Sequence, residues 1–230
     1  MKVALLTLTR DRLEYTQHCF GALVQHAGCR YDHYVLDQGS RDGTVEWLTQ
    51  KWRPAARHHR HVVEAGHNLG IHRGWNELLD RIEVSSYDVV ATFDNDCELV
   101  QPGTLSALAD AVHHTQWLLS PTVRGLLHPP AAGAPQQVGA YMVAPFACMG
   151  GICRAAPRAF MHRFRFNEDM PLWGGDELHV GQQATARGFG SGYLTAWHVN
   201  HFETTAGQRE RYPEYFERKD SEYAGVAAAV

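Results

Sequence analysis

Short apolar runs alternate with segments of helical periodicity through the first half of the chain. The apolar runs predict strands at 3–8, 31–36, 59–64 and 87–93. Apolar positions recur every three to four residues in the intervening segments, which predicts helices at 13–26, 43–52, 68–81 and 104–114. This alternation is typical of βαβ units. We therefore expect an α/β fold with a mainly parallel sheet, whose ligands gather at the carboxyl ends of its strands.

The second half follows a less regular pattern. A segment rich in Pro, Ala and Gly at 127–136 predicts a loop. Helical spacing predicts a helix over 173–187. Residues 206–230 are charged and aromatic and then Ala-rich, which is typical of a final helix or of a loosely held tail. Apolar runs predict further strands at 138–143, 148–154 and 188–197.

Composition excludes several classes of protein. Hydrophobic residues make up 44% and charged residues 20% of the 230 residues, which excludes a disordered chain, a collagen-like repeat and a coiled coil. A formal net charge of −4 argues against general nucleic-acid binding. No apolar run reaches the ~20 residues of a transmembrane segment, and a secretory signal pattern is missing. Five cysteines without CxxC spacing indicate reduced thiols, so we expect a cytoplasmic protein, with peripheral attachment to a membrane surface as the alternative.

A triplet of oxygen-bearing side chains, Asp94-Asn95-Asp96, directly follows the fourth predicted strand. Two carboxylates one residue apart can converge on one cation, and Mg²⁺ and Mn²⁺ both prefer oxygen ligands. Asp and Asn are also common in turns, so the triplet taken alone fits a solvated turn better. Its position at the end of an apolar strand favours a site for Mn²⁺ or Mg²⁺.

Two further polar segments lie near the expected ligand edge. Asp37 ends the second predicted strand in a turn that contains Gly, where its carboxylate can accept hydrogen bonds from a base or a ribose. Asn68, Gly70 and Asn76 stand at the start of a predicted helix, where Gly lets a ligand approach the backbone and Asn supplies donors and acceptors. A plain turn with a helix cap, and small residues for helix–sheet packing, stay open as structural alternatives.

The order of these segments resembles that of the family 2 nucleotide-diphosphosugar glycosyltransferases, which have the GT-A fold. Four segments carry the resemblance in the first half: 7–10, 36–44, 68–76 and the DxD at 93–96. Three more resemble the strand at the acceptor site and the run that ends in the catalytic acidic pair: 149–154, 166–170 and 173–177. The resemblance implies one GT-A domain over 1–205 with a smaller antiparallel portion. Its nucleotide-sugar half would be 1–115, its acceptor half 116–205, and 206–230 would follow as a helix or tail.

The resemblance also implies roles for individual residues. Asp37 would pair with the nucleobase, Asp94 would contact the ribose or the metal, and Asp96 would bind the metal that bridges the diphosphate. Asp176 would be the general base. The remaining residues implied on the nucleotide-sugar side are Thr7, Thr9, Arg10, Asn68, Gly70, Asn76 and Asn95. Those on the acceptor side are Gly150, Gly151 and Trp173.

The chain departs from the family pattern at two positions. Gly175 replaces the Glu of the acidic pair, and Thr9 stands where the family usually has Asn. Glu177 follows Asp176 and is an alternative base. Because consecutive helical residues point about 100° apart, we expect only one of these two carboxylates to face the acceptor, and we choose Asp176.

Two histidines, His198 and His201, follow the last predicted strand, and one of them resembles a downstream histidine of the same superfamily. In an extended segment their side chains diverge, so one of them would join Asp96 at the metal; we slightly favour His198. A nitrogen ligand favours Mn²⁺ over Mg²⁺. In a chain with 15 histidines, ordinary surface or core positions are the alternative.

Together these residues predict a metal-dependent inverting glycosyltransferase. A cation would neutralise the leaving diphosphate, and one carboxylate would take the proton of the acceptor hydroxyl, which suits in-line displacement. We expect a nucleotide-diphosphate sugar as donor, an unidentified hydroxyl acceptor, and a homodimer as an open option for assembly. One alternative is a non-catalytic nucleotide-sugar-binding relative that acts as a partner subunit. Another is a nucleotidyltransferase, which the absence of glycine from 7–12 disfavours.

Overall fold

Four parallel strands build the half of the sheet that the alternating pattern predicts. The structure is a computed structural model that describes residues 1–54, 59–126, 132–170, 175–202 and 209–227. The four strands lie side by side in the order β3-β2-β1-β4. Their bounds are β1 (Val3–Thr9), β2 (Asp32–Asp37), β3 (Arg60–Glu64) and β4 (Val89–Phe93). All four predicted strands are confirmed to within two residues at each end.

The remaining strands form a mixed half beside β4. They are β5 (Cys97–Leu99), β6 (Leu118–Arg124), β7 (Gln136–Val138), β8 (Tyr141–Pro145), β9 (Cys153–Pro157) and β10 (Ser191–His201). Strand β9 runs antiparallel between β4 and β6, and β10 is parallel to β6 but antiparallel to β8 and β5. The predicted α/β fold with an antiparallel portion is therefore confirmed.

Helices flank the sheet. They are α1 (Leu13–His26), α2 (Thr44–Trp47), α3 (Ile71–Arg81), α4 (Thr104–Thr115), α5 (Arg158–Met161), α6 (Asp176–Ala186) and α7 (Pro213–Ala227). The helix predicted over 43–52 changes after α2 into a π-helical turn, Leu48–Trp52. A 3₁₀ turn, Val84–Ser86, precedes β4. Within the described residues, no helix combines the length and apolar character that crossing a bilayer requires.

Consecutive residues of β1 enter different apolar clusters, which shows that the sheet has a core on each face. Leu5 packs with Phe20 and α4 in one cluster, whereas Leu6 packs with Trp75 and Phe160 in the other. Side chains of a strand alternate between the two faces of the sheet, so β1 contributes apolar side chains to both clusters. The cysteines of the chain are free thiols, as expected.

The structure departs from the predicted pattern mainly in the second half. Two strands, β5 and β6, were not predicted, and the run predicted as one strand at 138–143 is a hairpin that turns at Gly139, where φ is 59°. Pro121 interrupts the apolar pattern of β6, and the pairing of β6 with β10 shifts register just after it. Proline lacks the N–H of a ladder and is tolerated at such irregularities. The loop predicted at 127–136 lies partly outside the described residues.

Candidate active site

The ends of β1, β4, β9 and β10 surround one cavity of about 560 Å³. Its wall gathers ten of the residues that the sequence predicts for a site: Thr9, Arg10, Asp94, Asn95, Asp96, Gly150, Gly151, Asp176, Glu177 and His201. The parallel strands end at the same edge of the sheet, so the turns that follow them meet there.

Asp94, Asp96 and His201 form a cluster at the floor of this cavity. One ligand atom of each lies within 4.8 Å of the others. Asp94 and Asp96 occupy the turn between β4 and β5, and His201 is the last residue of β10, where it pairs with Cys97. The backbone N–H of Phe202 donates to the backbone carbonyl oxygen of Asp96 at 3.1 Å, and this hydrogen bond joins the end of β10 to that turn. Two carboxylates and one imidazole are donors that suit Mn²⁺, so these residues fit a divalent cation.

His198 lies outside this cluster, which reverses the sequence-based preference between the two histidines. The strand β10 continues through both of them, so their side chains diverge. The backbone N–H of His198 donates to Gln101 Oε1 at 2.8 Å. Burial and the positive charge of Arg124 lower the pKa of His198. Of the two histidines, His201 is therefore the one that lies beside Asp94 and Asp96.

The two carboxylates of the cluster have opposite pKa shifts. Burial and the negative charge of Asp96 raise the pKa of Asp94 to about 7. Burial also favours the neutral form of Asp96, but the charges of Arg12 and His201 outweigh it and hold the pKa of Asp96 well below its usual range. Two acidic groups this close cannot both ionise at low cost without a nearby positive charge.

Asp176 and Glu177 begin α6 and both line the cavity. That only one of them faces the acceptor, with Asp176 as the choice, stays a prediction. Burial and the adjacent Asp176 raise the pKa of Glu177. Gly175, which stands where the resemblance implies a Glu, adopts a φ of 80° just before the helix, a conformation that disfavours side chains. Asp176 Oδ2 lies 3.2 Å from where a Cβ on Gly151 would stand, so glycine at 151 leaves room for this carboxylate.

Several predicted nucleotide-side residues lie apart from the main cavity. Asp37 lines a neighbouring cavity of about 340 Å³ together with Ser40 and Glu64, and its carboxylate accepts hydrogen bonds from the backbone N–H groups of Gly39 and Ser40. Burial raises the pKa of Asp37 despite these hydrogen bonds. The next residue along the chain, Gln38, lines the main cavity.

Four other predicted residues have structural partners. Thr7 is fully buried and its hydroxyl lies 2.9 Å from His33 Nε2. Asn68 Oδ1 accepts a hydrogen bond from the N–H of Gly70, which precedes α3 with a φ of 81°. Asn76 is buried in α3, where it hydrogen-bonds both backbone groups of Phe166. Trp173 lies outside the described residues.

Helix α7 forms part of the cavity wall, which the sequence did not predict. Tyr215, Phe216 and Lys219 of this helix line the cavity. An ion pair between Arg218 and Asp11 ties α7 to the loop after β1. A stacked pair, Phe146 and Tyr193, with ring centroids 5.8 Å apart, lines the cavity from the strands near Glu177. Aromatic residues near the chain end were a compositional signal, but nothing local indicated where they dock.

Residues 5–118 match the family model described as "Glycosyl transferase family 2". Over this segment, just under half of its length, the chain is similar to glycosyl transferase family 2. No protein of curated function matches it in sequence. The family match ends before β9, α6 and β10, so Asp176 and His201 come from the part of the chain beyond it.

Solved structures extend the likeness in fold to nearly the whole length of the chain. A mannosyltransferase from Pyrobaculum calidifontis in complex with GDP-Man and Mn²⁺ is 16% identical, with a TM-score of 0.68 over 86% of this chain and 56% of its own. GalNAc-T7 with UDP, GalNAc and Mn²⁺ is 10% identical, with a TM-score of 0.71 over 87% of this chain and 44% of its own. TarS of S. aureus is 14% identical, with a TM-score of 0.68 over 93% and 38%. The chain thus shares their fold but spans only about half of their length.

Proposed function

We propose that this protein transfers a sugar from a nucleotide-diphosphate donor to a hydroxyl group of an acceptor, with a divalent cation and with inversion at the anomeric carbon. One observation carries the proposal: the Asp94, Asp96 and His201 cluster and the Asp176 and Glu177 pair line the same cavity. A leaving diphosphate and an attacking hydroxyl need these two kinds of group at one reacting centre.

Asp94, Asp96 and His201 would hold the cation. When bound, Mn²⁺ or Mg²⁺ would neutralise negative charge on the departing diphosphate. The three side chains supply two negative charges and one nitrogen donor. Because the pKa of Asp94 is raised to about 7, this carboxyl is partly protonated near neutral pH, and a bound cation would displace its proton. The mannosyltransferase of similar fold, which was solved in complex with GDP-Man and Mn²⁺, supports this assignment.

We assign donor binding to the half of the domain that residues 1–115 build. Thr9, Arg10 and Asn95 line the cavity beside the proposed cation, where they would contact the nucleotide. Asp37 in the smaller cavity would receive the base. Its two oxygens already bind the turn after β2, so a base would share an acceptor that the fold has oriented.

We assign acceptor activation to Asp176, in the half built by residues 116–205. A buried ion pair with Arg154 fixes its carboxylate at the start of α6, with Arg154 Nη2 and Asp176 Oδ2 3.7 Å apart. A carboxylate held in this way can accept the proton of an acceptor hydroxyl as the hydroxyl oxygen attacks the sugar. No second carboxylate is required as a nucleophile, so a single displacement with inversion follows.

A screen of UDP-, GDP- and dTDP-sugars tests this function, with and without Mn²⁺. We expect one donor to raise the melting temperature only when Mn²⁺ is present, because a ligand that binds the folded state stabilises it. The same donor should release nucleoside diphosphate slowly without acceptor. Asp96→Ala should abolish both effects, whereas Asp80→Ala, which removes an exposed carboxylate of α3, should retain them. Binding without any release would favour the non-catalytic relative, and no binding of any donor would contradict the proposal.

A further inference from the structure

The two oxygens of Asp96 face two different partners. Oδ1 lies 3.4 Å from His201 Nε2, and Oδ2 lies 2.6 Å from Arg12 Nη1. The side chains of Asp96 and Arg12 are 7% and 12% exposed, so water competes little with either contact. One oxygen of this carboxylate is therefore bound by a guanidinium, while the other points to the remaining members of the Asp94, Asp96 and His201 cluster.

Arg12 is itself held in place from several sides. It precedes α1 with φ 61° and ψ 45°, a left-handed conformation that is uncommon for a residue with a side chain. Its second guanidinium nitrogen, Nη2, donates to Asn95 Oδ1 at 3.0 Å. The amide of Asn95 in turn donates to Thr16 Oγ1 at 2.9 Å. The ring of Tyr215 lies 5.1 Å from the guanidinium carbon, so α7 covers one face of the Arg12 guanidinium.

We propose that Arg12 is a positioning residue: its guanidinium holds Oδ2 of Asp96 and thereby directs Oδ1 to the cation site shared with Asp94 and His201. This inference rests on the proposed function, since it assigns a role within the proposed metal site. A planar guanidinium can donate to two acceptors at a fixed angle, which here are the neighbouring side chains of Asn95 and Asp96. Groups that orient metal ligands in this way contribute to metal affinity without touching the metal.

The charge of Arg12 makes the proposal sharply testable. A positive group beside a cation site repels the cation, so by Coulomb's law alone its removal would strengthen cation binding. Loss of a group that orients the ligand would weaken binding instead. The two effects have opposite signs, and the sign of the change in affinity distinguishes them.

The experiment measures binding of Mn²⁺ alone to the full chain, by electron paramagnetic resonance and by calorimetry. We expect Arg12→Gln to weaken Mn²⁺ binding by about 10- to 100-fold, the range for partners of metal ligands. Arg12→Lys keeps the positive charge but cannot bridge both acceptors, and we expect a loss of about tenfold. The matched control is Arg81→Gln, which removes an exposed arginine paired with Glu77 on α3 and should bind Mn²⁺ as the wild type does.

Two outcomes overturn the role of Arg12. Equal or tighter Mn²⁺ binding by Arg12→Gln would mean that Arg12 acts by charge, as a substitute for the cation. If Arg12→Gln does not fold, Arg12→Lys decides alone, and wild-type affinity in that variant overturns the proposal. A wild-type protein that binds no Mn²⁺ would instead contradict the metal requirement of the proposed function. The two failures are therefore distinguishable within one data set.

Discussion

Arg154 and Asp176 form an ion pair inside the protein, with Nη2 and Oδ2 3.7 Å apart and both side chains about 5% exposed or less. Arg154 also donates from Nη1 to the carbonyl oxygen of Met149 at 2.9 Å. A buried charge that loses its partner is costly, so neither member of the pair is replaceable without effect. This pair joins β9 to the start of α6 and fixes the carboxylate that we assign to acceptor activation.

The first prediction concerns which carboxylate is the base. We expect Asp176→Asn to lower sugar transfer by at least ~10², because loss of a general base removes this much rate. Nucleotide and Mn²⁺ affinity should stay near the wild-type values. Glu177→Gln is the matched variant one residue away, and its loss should be much smaller. Initial rates of transfer and calorimetric binding check both variants; an inactive Glu177→Gln beside an active Asp176→Asn would assign the base to Glu177.

The second prediction separates the two histidines of β10. His201→Ala should weaken Mn²⁺ binding at least tenfold, equivalent to about 1.4 kcal/mol, because it removes one donor of the cluster. His198→Ala, on the same strand and outside the cluster, should bind Mn²⁺ as the wild type does. Titration with Mn²⁺ in the absence of nucleotide measures both. The reverse order of effects would return the metal ligand to His198.

The third prediction concerns base recognition. Asp37→Asn keeps an acceptor oxygen for the turn after β2 but removes the negative charge that would receive donors from a base. We expect nucleoside diphosphate binding to weaken by about 1–3 kcal/mol, the scale of a hydrogen bond to a charged group. The loss should be equal with and without Mn²⁺. If only the metal-dependent part of the affinity falls, Asp37 does not contact the base.

The fourth prediction is a pH dependence of stability that comes from His33. Burial and the positive charge of Arg60 lower the pKa of His33 to about 3, against 6.5 in the unfolded chain. Below pH 6.5 the unfolded chain takes up a proton that the folded protein excludes, so the free energy of unfolding falls as the pH drops towards 3. The contribution lost by pH 5 is about 2 kcal/mol.

Denaturant titrations at pH 7 and pH 5 check this dependence. His33→Gln removes the titrating group, so its free energy of unfolding should change about 2 kcal/mol less between the two pH values than that of the wild type. The control is His113→Gln at an exposed position of α4, which should retain the wild-type dependence. An identical pH dependence in wild type and His33→Gln would contradict the assignment.

The local pattern of the sequence was sufficient for the parallel half of the fold and for the acidic triplet. In that half the central strands β1 and β4 are largely apolar and almost fully buried, whereas the outer strand β3 is only partly buried. The helices that connect the strands repeat their apolar positions at the spacing of their own turns. Asp94 and Asp96 directly follow such a run, so their placement at the carboxyl edge of the sheet required no knowledge of distant contacts.

The strand pairing of the mixed half, the choice between His198 and His201, and the positions of Arg12 and α7 were decided by the tertiary structure. His201 reaches Asp96 because β10 pairs with β5 in a register that joins residues about a hundred positions apart. Arg12 reaches the same carboxylate across 84 residues, and Tyr215 arrives from a helix near the chain end. Periodicity reports only on neighbours along the chain. Contacts between distant segments depend on which strands pair, in which register, and on where each helix packs.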